Sequence, residues 1–125
     1  MAHFSRLSQI VIDAPADQHA TEVGFWAGAL GVPVEQQVKF PEFHGAELDA
    51  HFGLLVQRLG EGPPRMHVDI HTTDRAAEVA RLVALGASVV DETGPWTIMR
   101  DPAGLVFCVV PDRSLNAGNA HEWTD

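Results

Sequence analysis

Two histidines and one aspartate alternate with apolar residues in the run Met66–His71. Because successive side chains of a strand point to opposite faces, His67, Asp69 and His71 are expected on one face of a predicted strand. Imidazole and carboxylate groups on one face can transfer protons, bind a divalent metal or hold a polar ligand. They can equally be solvated or hydrogen-bonded strand residues, with His67 lining a pocket. This run is the first candidate for a functional site.

The stretch Met66–Val110 supplies the elements that would position these groups. Asp74 is placed to cap a helix that ends near Gly86, because its carboxylate can accept a backbone N–H of the first turn. The turn residues Asp101–Gly104 predict a hairpin. The other apolar runs predict strands, which gives the order β-α-β-β-β: Met66–His71, the helix, Ala87–Asp91, Trp96–Arg100 and Leu105–Val110.

The same plan occurs once upstream. The pattern Glu22-Val23 … Ala29-Leu30-Gly31 is echoed by Glu78-Val79 … Ala84-Leu85-Gly86. Two copies are too few for a solenoid, so a tandem pair packed into one domain, residues 1–125, is predicted. The upstream copy is predicted to contain the strand Leu7–Asp13, the helix Gln18–Leu30, and the strands Pro33–Val38, Ala46–His51 and Gly53–Leu59.

The boundaries follow from this repeat. Module 1 covers about residues 7–59, and module 2 covers about 66–111. The Gly- and Pro-rich residues 60–64 read as the linker between them. Residues 1–6 are predicted to be a short arm, and residues 112–125 a tail that is either disordered or docked through Trp123.

Composition excludes several classes of function. Seventeen acidic against eight basic residues give a net charge of −9, which argues against a nucleic-acid partner, because phosphates require Lys and Arg contacts. No apolar run approaches the roughly 20 residues that span a bilayer, and the N-terminus lacks a secretory signal. The single cysteine, Cys108, excludes an intramolecular disulfide. We expect a cytoplasmic protein whose acidity serves solubility or attracts a cationic ligand.

A strand with a helix behind it gives its apolar positions to that helix. The residues expected under the helices are Ile10, Ile12, Leu54, Val56, Val68, Ile70, Leu105, Phe107 and Val109. The opposite face then mixes apolar walls with convergent polar groups, as in small-molecule cavities. Carboxylates in a partly dry cavity favour a basic ligand. The candidate ligand-binding residues are Gln9, Asp13, Leu55, Gln57, His67, Asp69, His71, Trp96 and Cys108.

The tandem order, the Leu-Gly helix ends and the Asp-Pro-x-Gly hairpin resemble the glyoxalase/bleomycin-resistance family, also called the vicinal-oxygen-chelate superfamily. Phe25-Trp26-Ala27, Leu55-Val56-Gln57-Arg58 and Met66-His67-Val68-Asp69 are similar to its glyoxalase-like domain branch. The resemblance covers about residues 7–111. It implies an α+β fold in which tandem βαβββ modules form a curved mixed sheet, or cup, with helices on the outer face. It also implies a homodimer.

In metal-dependent members of that family, one residue on the first and one on the fourth strand of each module bind a divalent ion such as Zn, Ni, Mn or Fe. The corresponding residues here are Gln9, Gln57, His67 and Cys108. His67 matches and Gln9 is a permitted variant, so these two are the candidate metal ligands.

The other two positions depart from the family pattern. Gln57 and Cys108 replace glutamates, and a neutral amide cannot take over the glutamate's role as a proton-abstracting base. Cys108 can act as a zinc ligand, as a nucleophile or as a small buried apolar residue. We therefore expect a degenerate metal site and no cofactor.

The sequence predicts a glyoxalase-like protein that binds a small molecule in the cup. The alternative is a metal-dependent lyase, isomerase or dioxygenase of glyoxalase type. No catalytic residue is assigned at this point, and the ligand is not identified.

Overall fold

The computed structural model of the chain describes residues 2–124. That part of the chain forms nine strands and two helices, an α+β composition. In chain order they are β1 (His3–Pro15), α1 (His19–Leu30), β2 (Glu35–Gln36), β3 (Phe43–Asp49), β4 (Phe52–Leu59), β5 (Arg65–Thr72), α2 (Arg75–Ala84), β6 (Ser88–Asp91), β7 (Thr97–Arg100), β8 (Val106–Pro111) and β9 (His121–Trp123). The order β-α-β-β-β occurs twice, as β1-α1-β2-β3-β4 and β5-α2-β6-β7-β8, as predicted, and β9 follows the second copy.

Contacts between residues divide the chain into two compact units. The central unit is Gln9–His67. The terminal unit joins the residues up to Ser8 to those from Val68 onward. The strands β1 and β5 therefore contribute residues to both units. No helix in residues 2–124 is long and apolar enough to cross a membrane.

The central unit is a mixed sheet covered by α1. Its strands follow the order β2-β3-β4-β1, with β1 and β4 parallel and the other pairs antiparallel. The alternation of β1 turns Ile10 and Ile12 toward one face, as predicted. The core on that face contains Ile12, Ala14, Val34, Leu54 and Val56, packed against Val23, Trp26 and Ala27 of α1.

The terminal unit repeats this arrangement around α2. Here β5 and β8 are parallel, while β8, β7 and β6 pair antiparallel. Val109 and Met99 are fully buried because the amphipathic face of α2 covers them. The core consists of Met99, Phe107 and Val109, packed against Ile70, Val79, Leu82 and Ala87.

The ends of the helices follow the predicted signals. The Asp74 carboxylate accepts the backbone N–H of Ala77 at 3.0 Å and caps α2. Gly86 follows α2 with φ 112°, and Gly31 ends α1 with φ 70°. Both values lie in the left-handed region, which glycine enters without steric penalty.

Two residues predicted under the helices are exposed. Val68 is 37% and Leu105 69% solvent-accessible. The ten residues of α2 span only about 15 Å, and they cover Ile70 and Phe107 but not the start of β5. Leu105 lies before β8 begins, at the end of the hairpin turn. The prediction of burial was wrong at these two positions.

The N-terminal arm was predicted wrongly, and of the two alternatives for the tail the docked one is observed. Residues from His3 onward form the start of β1 rather than an arm, because β9 pairs with them antiparallel. The tail is docked through Trp123, whose Nε1 donates to Ser5 Oγ at 2.8 Å. The strand predicted at Pro33–Val38 is present but covers only Glu35–Gln36.

Candidate functional site

The central unit contains an aspartate–histidine pair. Asp13 lies on β1 and His67 on β5, and the Nδ1 atom of His67 is 2.6 Å from Oδ2 of Asp13. Asp13 points away from Ile12 because adjacent strand residues alternate between faces. Its side chain is 3% and that of His67 12% exposed. A buried carboxylate orients the imidazole in this pair through a short charge-assisted hydrogen bond.

The second oxygen of the Asp13 carboxylate, Oδ1, indicates what this pair could bind. Oδ1 of Asp13 is buried and accepts no hydrogen bond from residues 2–124. A buried polar atom without a partner costs about 1–3 kcal/mol, and more where the group is charged. The arrangement therefore suits a ligand that brings its own N–H or O–H donor to Oδ1.

The strand β4 supplies the neighbours of Asp13. Gln57 lies directly opposite Asp13 in the parallel β1·β4 register, and Leu55 lies opposite Val11. Val11 is fully buried, and Leu55 is partly buried. An amide and two aliphatic side chains thus accompany the aspartate–histidine pair, a mixture found in small-molecule sites.

Gln9 is not brought to this cluster. It lies opposite Gly53, four strand positions before the pair formed by Asp13 and Gln57. Four positions correspond to about 13 Å along a strand, whereas both ligands of one metal ion lie within about 2.2 Å of it. The amides of Gln9 and Gln57 are also neutral. This register and these neutral amides do not make Gln9 and Gln57 a pair of ligands for one metal ion, so no reaction step is derived through a metal.

The terminal unit places Asp69 beside Cys108. The two residues are opposite each other in the parallel β5·β8 register, and a carboxylate oxygen of Asp69 lies within 4.8 Å of Cys108 Sγ. Both are buried, at 5% and 6% exposure. Asp69 thus occupies the same register relation to Cys108 that Asp13 has to Gln57.

His71 forms a second aspartate–histidine pair in the terminal unit. Its Nδ1 atom is 2.8 Å from Oδ2 of Asp112, and the other oxygen of Asp112 accepts from the Ser114 hydroxyl at 2.6 Å and from the Ser114 backbone N–H. Burial raises the pKa of Asp112, but the hydrogen bonds from Ser114 and His71 outweigh it and leave the pKa below its ordinary value.

Sequence reasoning identified His71 but missed Asp112. A signal was present, since Asp112-Arg113-Ser114 directly follows a strand, and an aspartate there can bond the backbone two residues on. Trp96 lies just before β7 and is partly buried.

One family model matches most of the chain. The family model described as Glyoxalase-like domain matches residues 9–110. A comparison with curated proteins finds no match.

Solved structures share the fold at low identity. A variant of methylmalonyl-CoA epimerase from Streptomyces coelicolor, in complex with 2-nitronate-propionyl-CoA, has a TM-score of 0.61 at 15% identity, over 91% of this chain and 99% of that one. A glyoxalase/bleomycin resistance protein/dioxygenase superfamily member from Vibrio splendidus has 0.52 at 15% identity, over 82% and 97%.

A larger enzyme contains the fold as a part. The 2,2',3-trihydroxybiphenyl 1,2-dioxygenase from Sphingomonas wittichii has a TM-score of 0.54 at 12% identity, over 90% of this chain and 42% of that one. At such identities the likeness shows the fold alone. It confirms the predicted α+β glyoxalase fold.

Proposed function

The chain belongs to the glyoxalase-like domain family, and from that premise we propose that it binds a small molecule carrying a basic nitrogen, held by Asp13. The observation that carries the proposal is the buried Oδ1 atom of Asp13, which has no donor within residues 2–124. An ammonium group would supply both the missing donor and a compensating charge.

His67 has the role of orienting the carboxylate. Its Nδ1 atom engages Oδ2 at 2.6 Å, which fixes the carboxylate plane and directs Oδ1 to the ligand. Gln57, opposite Asp13, offers an amide that can donate or accept a further hydrogen bond. The net charge of −9 favours the approach of a cation through long-range steering.

A thermal-shift screen with matched compounds tests this proposal. Each amine is paired with an alcohol of the same carbon skeleton and with the corresponding carboxylic acid. A ligand at about 100 times its Kd adds about 2.7 kcal/mol to the free energy of unfolding, so amines are expected to raise Tm and carboxylic acids are not.

Variants then locate the binding. Asp13→Asn removes the charge but keeps the shape, and it is expected to weaken amine binding at least tenfold, because a hydrogen bond to a charged group contributes about 1.5–3 kcal/mol. Asp17→Asn is the matched control, since Asp17 is exposed in the same unit. Hits that are all anionic, or that bind Asp13→Asn as well as the native chain, would refute the proposal.

A second candidate function is a metal-dependent lyase, isomerase or dioxygenase. One observation favours it: Asp69 and Cys108 place a carboxylate and a thiol within 4.8 Å of each other, and both groups can ligate zinc or iron. Metal analysis of dialysed protein separates the two functions. About one ion per chain that is lost in Cys108→Ser would support the metal enzyme.

We also propose that the chain forms a homodimer. The proposal is supported by β6, the last strand in the order β8-β7-β6, where Val89 and Val90 are 41% and 47% exposed. Such an apolar edge can pair with another chain. Light scattering after size-exclusion chromatography should give a molar mass twice the 13.5 kDa of one chain. The Val89→Lys variant should instead give the mass of a single chain.

A further inference from the structure

Two histidines meet in the central unit on the side where α1 packs. His19 is the first residue of α1 and is 7% exposed. His44 lies opposite Val56 in the β3·β4 register, and Val56 belongs to the core under α1. The two ring centroids are 4.9 Å apart, and the ring planes are inclined by 67°. This pair is separate from Asp13, whose side chain leaves β1 on the opposite face from Ile12.

The hydrogen bonding of both rings leaves one ring nitrogen of each histidine available to a ligand. Nε2 of His19 lies 3.3 Å from the Val56 carbonyl oxygen. A carbonyl only accepts, so Nε2 carries the proton and Nδ1 carries the lone pair. Metal-ligating histidines are typically oriented in this way, with the other ring nitrogen donating to a backbone carbonyl. Nδ1 of His44 is buried and has no hydrogen-bond partner within residues 2–124.

The spacing of the rings matches two ligands of one ion. A zinc ion lies about 2.0–2.1 Å from each histidine nitrogen, hence about 3.2 Å from each ring centroid, and tetrahedral geometry then separates the centroids by about 5 Å. The observed separation is 4.9 Å. This separation is compatible with both rings contacting one ion.

A carboxylate lies two residues before His44 in the chain. The Arg58 backbone N–H donates to the Glu42 carbonyl at 2.9 Å, which places Glu42 in the turn just before β3. Oε1 of Glu42 is buried and has no partner in the described part of the chain. The Arg58 charge opposes a cation, but this residue is exposed and its charge is screened by water.

We propose that His19 and His44 bind a divalent transition-metal ion such as Zn²⁺. Neutral imidazole is a preferred zinc ligand. This site uses none of the residues at which the family holds its metal, and it does not depend on the proposed amine ligand.

Isothermal titration calorimetry of the full chain with ZnCl₂ at pH 7.5 tests the site. The native chain is expected to bind Zn²⁺ through an event that weakens at least tenfold in His44→Ala and in His44→Gln. The glutamine variant retains most of the side-chain volume, and circular dichroism checks that both variants fold. His51→Ala, on the β3–β4 turn, and His67→Ala are the control variants and should leave this event unchanged.

Two results would overturn the site. One is the absence of any Zn²⁺ binding by the native chain up to millimolar concentration. The other is binding that persists in a folded His44→Gln variant within twofold of the native affinity, which would assign the ion to another part of the chain. Zn²⁺ binding that is lost in His67→Ala but retained in His44→Gln would likewise assign the ion to another part of the chain.

Discussion

Glu78 provides the most quantitative test of the packing of the terminal unit. It lies on α2 and is fully buried. Its Oε1 accepts from His3 Nε2 at 2.8 Å and from Arg81 Nε at 3.0 Å, and its Oε2 accepts from an Arg81 terminal nitrogen at 2.7 Å. The Arg81 guanidinium in turn lies 3.7 Å from the ring centroid of Trp123. The carboxylate therefore connects α2 to β1 and, through Arg81, to β9.

Replacing this carboxylate by an amide should destabilise the fold by about 2–4 kcal/mol. Breaking a buried charge pair by removing one partner costs about 3–5 kcal/mol, and the figure is reduced here because the Arg81 side chain is 24% exposed. Urea unfolding of Glu78→Gln followed by circular dichroism measures the change. Glu61→Gln, in the exposed segment after β4, is the control and should change stability by less than about 0.5 kcal/mol.

The pH dependence gives an independent readout. Burial raises the pKa of Glu78, but hydrogen bonds from Arg81, His3 and Ser5 outweigh it, so the pKa lies below its ordinary value of 4.5. The stability that comes from a depressed carboxyl pKa is present above the ordinary pKa and is lost as pH falls through the folded-state value. The native chain and Glu78→Gln should therefore differ most above pH 4.5 and converge below it. A difference under about 0.5 kcal/mol, or one that is independent of pH, would refute this reasoning.

Two further predictions concern the core and the candidate site. Ile70→Ala should cost about 2 kcal/mol in urea unfolding, because it removes buried methyl groups, whereas Val68→Ala should change little; equal effects would show that the strand faces are misassigned. His67→Ala should leave the metal content of dialysed protein unchanged in elemental analysis, and the loss of about one ion per chain would favour the metal-dependent enzyme.

Local signals in the sequence predicted much of the fold. The cap at Asp74 and the glycine after α2 depend on contacts within one helical turn, so they could be recognised without knowing the rest of the structure. The period-two pattern assigned Ile12 and Phe107 to the helix-covered faces because burial follows strand alternation. Val68 has the same alternation but lies beyond the reach of α2, and the length of a helix relative to its sheet is not a local property.

Long-range pairing could not be predicted in the same way. His3 lies in a polar segment, and it belongs to β1 only because β9, more than a hundred residues later, pairs with it. Sequence reasoning placed Asp13 and His67 on one face, but their hydrogen bond joins residues 54 positions apart. The same holds for the contact of His19 with His44, which depends on how α1 packs on β3 and β4. Side chains that meet through tertiary packing leave no periodic signal.

The central claim is that Oδ1 of Asp13 receives a donor from the ligand. A crystal structure of the chain with the tightest-binding amine tests it most directly. The account predicts the basic nitrogen within about 3.2 Å of Oδ1, with the hydrogen bond between His67 and Oδ2 retained. An amine bound elsewhere, or one whose nitrogen contacts neither oxygen of Asp13, would contradict it.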